Sequence, residues 1–478
     1  MVLLFGSKIL VEECIKNDIK PLLGIEFYIT ENKVDNEGKR IRDNWHLIAI
    51  AKNKIGWHNM IKLHNLSFRD ERYYYDPRIT LEDLFKYKDG LIITSACIGG
   101  VLGRPWMDND ENKSFEIAKL LKHEFNEDFY LELQNHNAEN LQEREKQHKY
   151  NRYLIRLSKD LNIKCTIQND SHYYLKSDWV AHQVLLCKNT GSKLSNPKFK
   201  FDSHEYYLKN ESEIIDVFDE YPLHFIEDCI KNTQEIANKV EIYDIINKQY
   251  DCPSFGEAEE TYKKLVELTY NGLHSKFSDS FLSKHPEYEE RIKEELETVK
   301  KVGYVDYFMM LEDLYTFMRK NNIYSGIGRG SAGGSLVLYC LDVISVDPIK
   351  YHLLFSRFIN VDRISACDVD CDVNDKDRPK VVQYLKDRYG ADHVCNIGTY
   401  GELTAKASFK AVASVLEIPF DQANNITSIM DSSLSLQENY NQIPDFKKVC
   451  DNDDAINKAF NIAKTLEGTF AQRGTHAC

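Results

Sequence analysis

The run Ser325-Gly326-Ile327-Gly328-Arg329-Gly330-Ser331-Ala332-Gly333-Gly334-Ser335 leads straight into the apolar Leu336-Val337-Leu338-Tyr339. A glycine-rich loop opening a helix presents backbone N–H groups at the positive end of the helix dipole, which suits phosphate oxygens. Arg329 adds a fork of donors and Ser331 a hydroxyl at the mouth. Two look-alike motifs bear on this loop. Gly328-x-Gly330-x-x-Gly333 satisfies a dinucleotide-binding pattern, but what precedes it is a helix-like Tyr304–Lys320 and a strand stub at Ile323-Tyr324. A P-loop would need Lys-Ser or Lys-Thr after the glycines, and neither follows. The alternative is a tight glycine turn between elements.

Downstream stands Asp368-Val369-Asp370-Cys371-Asp372-Val373. On a strand the side-chain period is two, so the three aspartates share one face and Val369, Cys371 and Val373 the other. Carboxylates packed in this way raise one another's pKa unless a cation sits among them. Oxygen-only ligands point to Mg2+ or a similar hard ion that keeps positions open for substrate phosphates. An EF-hand is excluded, because counting from Asp368 the sixth residue is Val373 and the twelfth Pro379. A solvated acidic turn is the alternative. A Gly-Ser loop opening a helix, followed by an Asp-x-Asp strand, follows the logic of nucleotidyl transfer: the loop holds a triphosphate, and metals on the carboxylates activate a hydroxyl and stabilise pyrophosphate.

The elements that must position these residues are readable. In the first half Leu91–Thr94, Phe129–Leu133 and Ile163–Ile167 read as strands, and Tyr153–Leu161 has helical spacing. The alternation predicts an α/β domain with a parallel sheet, whose functional residues gather at strand ends. His46, Cys97, Asp170 and His172 fall at or beside these strands; an isolated His or Cys is often structural, while Asp-x-His at a strand end suits a metal. From about Ile214 to Lys301 the chain reads as helical and charged, with helices at Tyr262–Phe277 and Tyr288–Lys301, and is expected to connect two domains.

The whole chain has 478 residues, 42 % hydrophobic and 28 % charged, which excludes disordered and collagen-like classes. At roughly 100–200 residues per domain, that length predicts two to four domains. The charge is 61 − 75 = −14, which by itself argues against a generally sticky nucleic-acid binder. Residues 301–410, however, hold 14 Lys+Arg against 14 Asp+Glu, so this stretch is neutral and the acidity resides elsewhere. With Mg2+ on its carboxylates, the surface of this stretch would be effectively positive. The 12 cysteines include no Cys-x-x-Cys pair, and no stretch approaches the roughly 18 apolar residues of a membrane span. Reduced thiols and a cytoplasmic location are expected.

Several motifs, in order, carry a family resemblance. Gly326-Ile-Gly-Arg-Gly-Ser-Ala-Gly-Gly-Ser-Leu, Val346-Asp-Pro-Ile-Lys-Tyr, Leu354-Phe-Ser-Arg-Phe-Ile-Asn, Asp368-Val-Asp, Ile397-Gly-Thr-Tyr-Gly-Glu-Leu-Thr-Ala-Lys-Ala and Gly474-Thr-His-Ala-Cys resemble the catalytic palm region of the C-family bacterial replicative DNA polymerases, the polymerase III alpha subunits. Ile19-Lys-Pro-Leu-Leu-Gly-Ile-Glu, Trp45-His-Leu-Ile-Ala-Ile-Ala-Lys-Asn, Tyr74-Tyr-Asp-Pro-Arg-Ile, Thr94-Ser-Ala-Cys, Phe129-Tyr-Leu-Glu-Leu-Gln and Asn169-Asp-Ser-His-Tyr are similar to that family's polymerase-and-histidinol-phosphatase (PHP) domain.

The resemblance implies an α/β multidomain protein. Residues 1–237 would be a PHP domain (a distorted β/α barrel), 238–399 the first part of a polymerase-beta-like nucleotidyltransferase palm, and 400–478 part of a helical thumb. By position, Asp368 and Asp370 match the catalytic, metal-binding aspartates, and Asp372 a nearby acid of open role. Arg329, Gly330 and Ser331 match the triphosphate loop, and Arg357 a basic residue of the same site. Glu26, His46, Cys97, Asp170 and His172 match PHP metal ligands, for Zn2+ or Mn2+ if the site is completed. The implied partners are primer–template DNA, dNTPs, a complementary C-terminal polymerase segment, and the sliding clamp and other replisome subunits.

Three departures stand out. The family's His-x-His motif, with a further Asp and His, precedes the segment matching Leu4-Phe5-Gly6, so the PHP site is expected to be incomplete. The third palm aspartate lies beyond Cys478, and Cys367 stands where the family has Pro. These favour a chain completed by a separate segment or an incomplete reading frame; Cys478 as the first residue of an intein is a further alternative. A PHP phosphoesterase and a non-catalytic DNA-binding scaffold are the competing readings.

Overall fold

Runs of apolar, β-branched and aromatic residues bounded by turn residues build the first sheet. The computed structural model describes residues 4–245, 252–360 and 368–476, so Cys367 and Cys478 lie outside the described residues. The strands are β1 (Gly24–Ile29), β2 (Trp45–Ala51), β3 (Arg78–Ile79), β4 (Leu91–Thr94), β5 (Phe129–Leu133) and β6 (Cys165–Ile167), in the order β3-β1-β2-β4-β5-β6. The pairs β1–β3, β4–β5 and β5–β6 are parallel. Strand β2 runs antiparallel to both β1 and β4, so the expected parallel sheet is a mixed one. Its cause is local: β1 reaches β2 through a helix-free loop, the connection an antiparallel neighbour allows. Every residue of β4, β5 and β6 is buried, which explains their largely apolar reading. Leu91, Ile93, Phe129 and Leu131 enter one core cluster, while Ile92 and Tyr130 face Ile236 and Val240 in another.

The chain divides into two compact units, residues 1–246 with 402–471, and 247–401 with 472–478. The grouping of 402–471 with the first unit has its physical reason in the helix Trp179–Thr190, which buries Ala181, Val184 and Cys187 in one apolar cluster with Phe409, Val412, Phe446 and Phe460.

In the second unit the helices Ala258–Lys276, Glu287–Lys301, Val305–Lys320 and Leu336–Cys340 share a core through Leu273, Ile292, Leu296, Phe308 and Leu336. The helices of 258–301 are therefore core elements, correcting their expected role as a connector; sequence shows their charged faces, and packing shows the buried stripe. Strands β7 (Gly398–Glu402) and β8 (Phe470–Thr475) form a two-stranded sheet. No helix among the described residues is long and apolar enough to cross a membrane.

Candidate functional site

The glycine loop folds back on the aspartate segment through backbone contacts. Ser325 bridges Val373, and the Gly326 N–H donates to the Asp372 carbonyl at 3.0 Å. A Cβ on Gly326 would lie 2.9 Å from the Asp372 Cβ, so glycine is what lets the segments close. Gly328 has φ +108° and its Cβ would meet Ile344 Cγ2 at 2.8 Å; Gly330 has φ +59°. Past the loop, a Cβ on Gly334 would fall 2.5 Å from the Leu354 carbonyl oxygen, and this approach brings in the turn Phe355–Arg357 that carries Arg357. Arg329, Gly330, Ser331 and Arg357 are all exposed.

The helix that follows is not open to an anion, correcting the first expectation. Ser335 caps Leu336–Cys340, its Oγ accepting from Leu338 N–H at 3.2 Å. The fully buried Glu295 carboxylate accepts from Ser335 Oγ (2.8 Å), Leu336 N–H (3.0 Å) and Val337 N–H (3.1 Å). Arg291, one turn earlier, donates Nε to Glu295 (2.7 Å) and Nη2 to the carbonyls of Gly334 (2.9 Å) and Leu353 (3.2 Å). Burial pushes the Glu295 carboxyl up, opposed by those backbone donors, Ser335 and Arg291. A built-in carboxylate thus already occupies the helix N-terminus, and Arg329, Gly330 and Ser331 of the loop remain exposed. Sequence reasoning missed Glu295, although it shares a helix face with Ile292, Leu296 and Val299.

Residues 368–372 form no ladder, and the expected strand reduces to the Ser325–Val373 bridge. The alternation survives: Val369, Cys371 and Val373 pack on the core, while Asp368 and Asp372 are exposed and Asp370 half-buried. Arg329 Nη1 lies 3.1 Å from Asp372 Oδ1, so the acid of open role meets the loop's cation. With 57 % and 50 % of these side chains exposed, the pair contributes at most about 1 kcal/mol. Asp372→Asn is expected to leave the urea unfolding midpoint nearly unchanged.

The PHP-like residues gather at one end of the first sheet. Tyr28 of β1 pairs with His46 of β2, placing Glu26 Oε1 2.9 Å and Cys97 Sγ 3.3 Å from His46 Nδ1. Burial would depress His46, but Cys97 and Glu26 outweigh it and raise its pKa to about 10. Asp170, at φ +46° just after β6, stands 3.6 Å from His172 Nε2. Burial raises the Asp170 carboxyl, but His172, His136 and His46 bring it below the usual range. Cys97 and Asp170 line one cavity of about 170 Å3 with Gln134, His136, Asp202 and Tyr206, of which sequence reading named none. The structure thus joins Glu26, His46 and Cys97 in one trio and Asp170 with His172 in a pair.

Among the described residues, no three His, Cys, Asp or Glu side chains are arranged to hold a metal ion, in either unit. The donor types still fit: oxygen alone at Asp368 and Asp370 suits Mg2+, and Cys, His and carboxylate suit Zn2+ or Mn2+.

Under this cluster Glu132 of β5 is fully buried, accepting from Thr94 Oγ1 and Gln134 Nε2, each at 2.5 Å. Burial, with Asp170 and Glu26 nearby, raises its pKa from 4.5 to about 7. The folded chain therefore holds a proton that the unfolded chain has released. Stability from this group is full below pH 4.5 and falls as pH climbs to 7, by about 3 kcal/mol. Urea titrations at pH 5 and 8 should show that fall in the wild type relative to Glu132→Gln; parallel pH dependence in the two would refute it.

Comparison with known proteins fits this division of sites. The sequence pattern of the PHP domain family matches residues 2–136, and that of the bacterial DNA polymerase III alpha NTPase domain matches 263–478. DNA polymerase III subunit alpha of Borreliella burgdorferi is 36 % identical over 99 % of this chain and 40 % of its own length. Along nearly its whole length the chain is similar to bacterial DNA polymerase III alpha subunits. The subunit of Aquifex aeolicus is 33 % identical over 99 % of the chain and 44 % of its own length, and that of Treponema pallidum 31 % over 99 % and 40 %. The chain thus spans about two-fifths of the length of the curated proteins it matches. The polymerase III pattern covers Glu295, the glycine loop and the aspartates; the PHP pattern covers Glu26, His46 and Cys97 but not Asp170 or His172.

Proposed function

We propose that this chain provides the dNTP-binding loop and two metal-binding carboxylates of a replicative DNA polymerase, with a PHP barrel, the first part of a polymerase-beta-like palm and part of a helical thumb, at 1–237, 238–399 and 400–478. The observation that carries the reading is the closure of the Ser325–Ser331 loop on the Asp368–Val373 segment. Arg329 moves from Asp372 to the triphosphate, the Gly330 and Ser331 N–H groups bind its oxygens, and Arg357 adds charge from the adjoining turn. Asp368 and Asp370 would hold Mg2+, with a third carboxylate from a complementary C-terminal segment, and the metal would supply acidification of a primer 3′-OH and charge compensation for pyrophosphate. Primer–template DNA is the second substrate, the sliding clamp and other replisome subunits are partners of the completed enzyme, and the compartment is the cytoplasm.

Equilibrium dialysis of radiolabelled dATP with the full chain tests the reading. Binding is expected to need Mg2+ and to weaken in Arg329→Ala and in the Asp368→Asn/Asp370→Asn double variant. Indifference to all three changes refutes it. A metal-dependent phosphoesterase in the PHP-like cluster is a second reading, favoured by the Glu26–His46–Cys97 contact. It requires phosphomonoester hydrolysis, dependent on added Zn2+ or Mn2+, that falls in His172→Ala; hydrolysis that ignores this substitution excludes it.

A further inference from the structure

A different cavity, of about 410 Å3, lies wholly within the first unit, a size in the range of small-ligand sites. Aromatic rings form its wall. Trp179, heading its helix, stacks on His204 with 3.8 Å between centroids and 15° between planes, and His182 and Phe201 adjoin at 5.1 Å. Lys200 and Lys458 line the cavity and are exposed. Locally the chain reverses its acidity: residues 174–209 hold six Lys against three Asp+Glu, 6 − 3 = +3, where the whole carries −14. The polar lining includes Glu139, Gln183, Ser203 and Tyr173, whose hydroxyl is buried without a hydrogen-bond partner. A buried orphan hydroxyl costs stability unless something pairs with it.

We propose that this cavity binds an unpaired nucleotide, separately from the dNTP loop. Aromatic faces take a base irrespective of its identity, and lysines at the mouth take its phosphate. The base lies against the Trp179–His204 wall, Lys200 and Lys458 face the phosphate, and Tyr173 and Glu139 offer a donor and an acceptor to the base edge. The site is independent of the polymerase reading, since it uses no residue of the loop or the aspartates.

The test is fluorescence anisotropy of a labelled oligothymidylate with the full chain, with dTMP as competitor. Trp179→Ala is expected to weaken binding about 10-fold, with Trp179→Phe close to wild type. The Lys200→Glu/Lys458→Glu variant should flatten the dependence of log K on log salt by about two contacts. Competition by dTMP identifies a free nucleotide as the ligand; binding of the oligomer alone identifies a single strand. Either supports the site. No binding by wild type, or wild-type binding by Trp179→Ala and the lysine variant, overturns it. Asp368→Asn/Asp370→Asn leaves this signal intact, so failure of the polymerase reading would show separately.

Discussion

Glu295→Ala is expected to lower the stability of the second unit by about 4 kcal/mol and to abolish dNTP binding. The side chain is fully buried and holds four donors: Ser335 Oγ, the N–H groups of Leu336 and Val337, and Arg291 Nε. Alanine orphans all four and leaves the Arg291 guanidinium without its carboxylate in a largely buried place. Because Arg291 also grips the Gly334 and Leu353 carbonyls, the loss spreads to the end of the glycine loop and the turn packed against it. Glu295→Gln keeps the shape and one acceptor oxygen, so an intermediate loss is expected. Urea unfolding followed by circular dichroism reads the first effect and equilibrium dialysis of dATP the second. An alanine variant within about 0.5 kcal/mol of wild type would show that the network is ornamental.

Asp368→Asn with Asp370→Asn is expected to behave in the opposite way. Asp368 is exposed and Asp370 half-buried, so stability should change by less than about 1 kcal/mol. Relief of repulsion between the carboxylates without metal could even raise it. Primer extension by the completed enzyme should fall at least about 1,000-fold, equivalent to roughly 4 kcal/mol of transition-state stabilisation. Catalytic loss without loss of fold distinguishes a metal-binding pair from a structural acidic turn. Extension within 10-fold of wild type at saturating Mg2+ would remove these aspartates from the mechanism.

The sequence and the structure agree where the signal is local. Strands β4 and β5 fall on the runs Leu91–Thr94 and Phe129–Leu133, whose burial on both faces suits their largely apolar make-up, with Glu132 the buried exception held by Thr94 and Gln134. The alternation in Asp368–Val373 correctly predicted which side chains turn to the core, because that depends only on an extended backbone. It could not show whether a neighbour would complete a ladder, and only Ser325 bridges Val373. Glu295 was illegible for a related reason. Glu294 and Glu297 flank it, and which glutamate is buried depends on what packs against the helix.

The sequence by itself determined the glycines, the alternating aspartates and the ligand-type residues at strand ends, because each follows from spacing along one backbone. Packing in three dimensions put a carboxylate distant in sequence at the helix N-terminus. It also decided that residues 402–471 share a core with the helix Trp179–Thr190 and that Arg329 meets Asp372. These are contacts between distant segments, fixed by burial and charge pairing in three dimensions, for which no local period carries a signal.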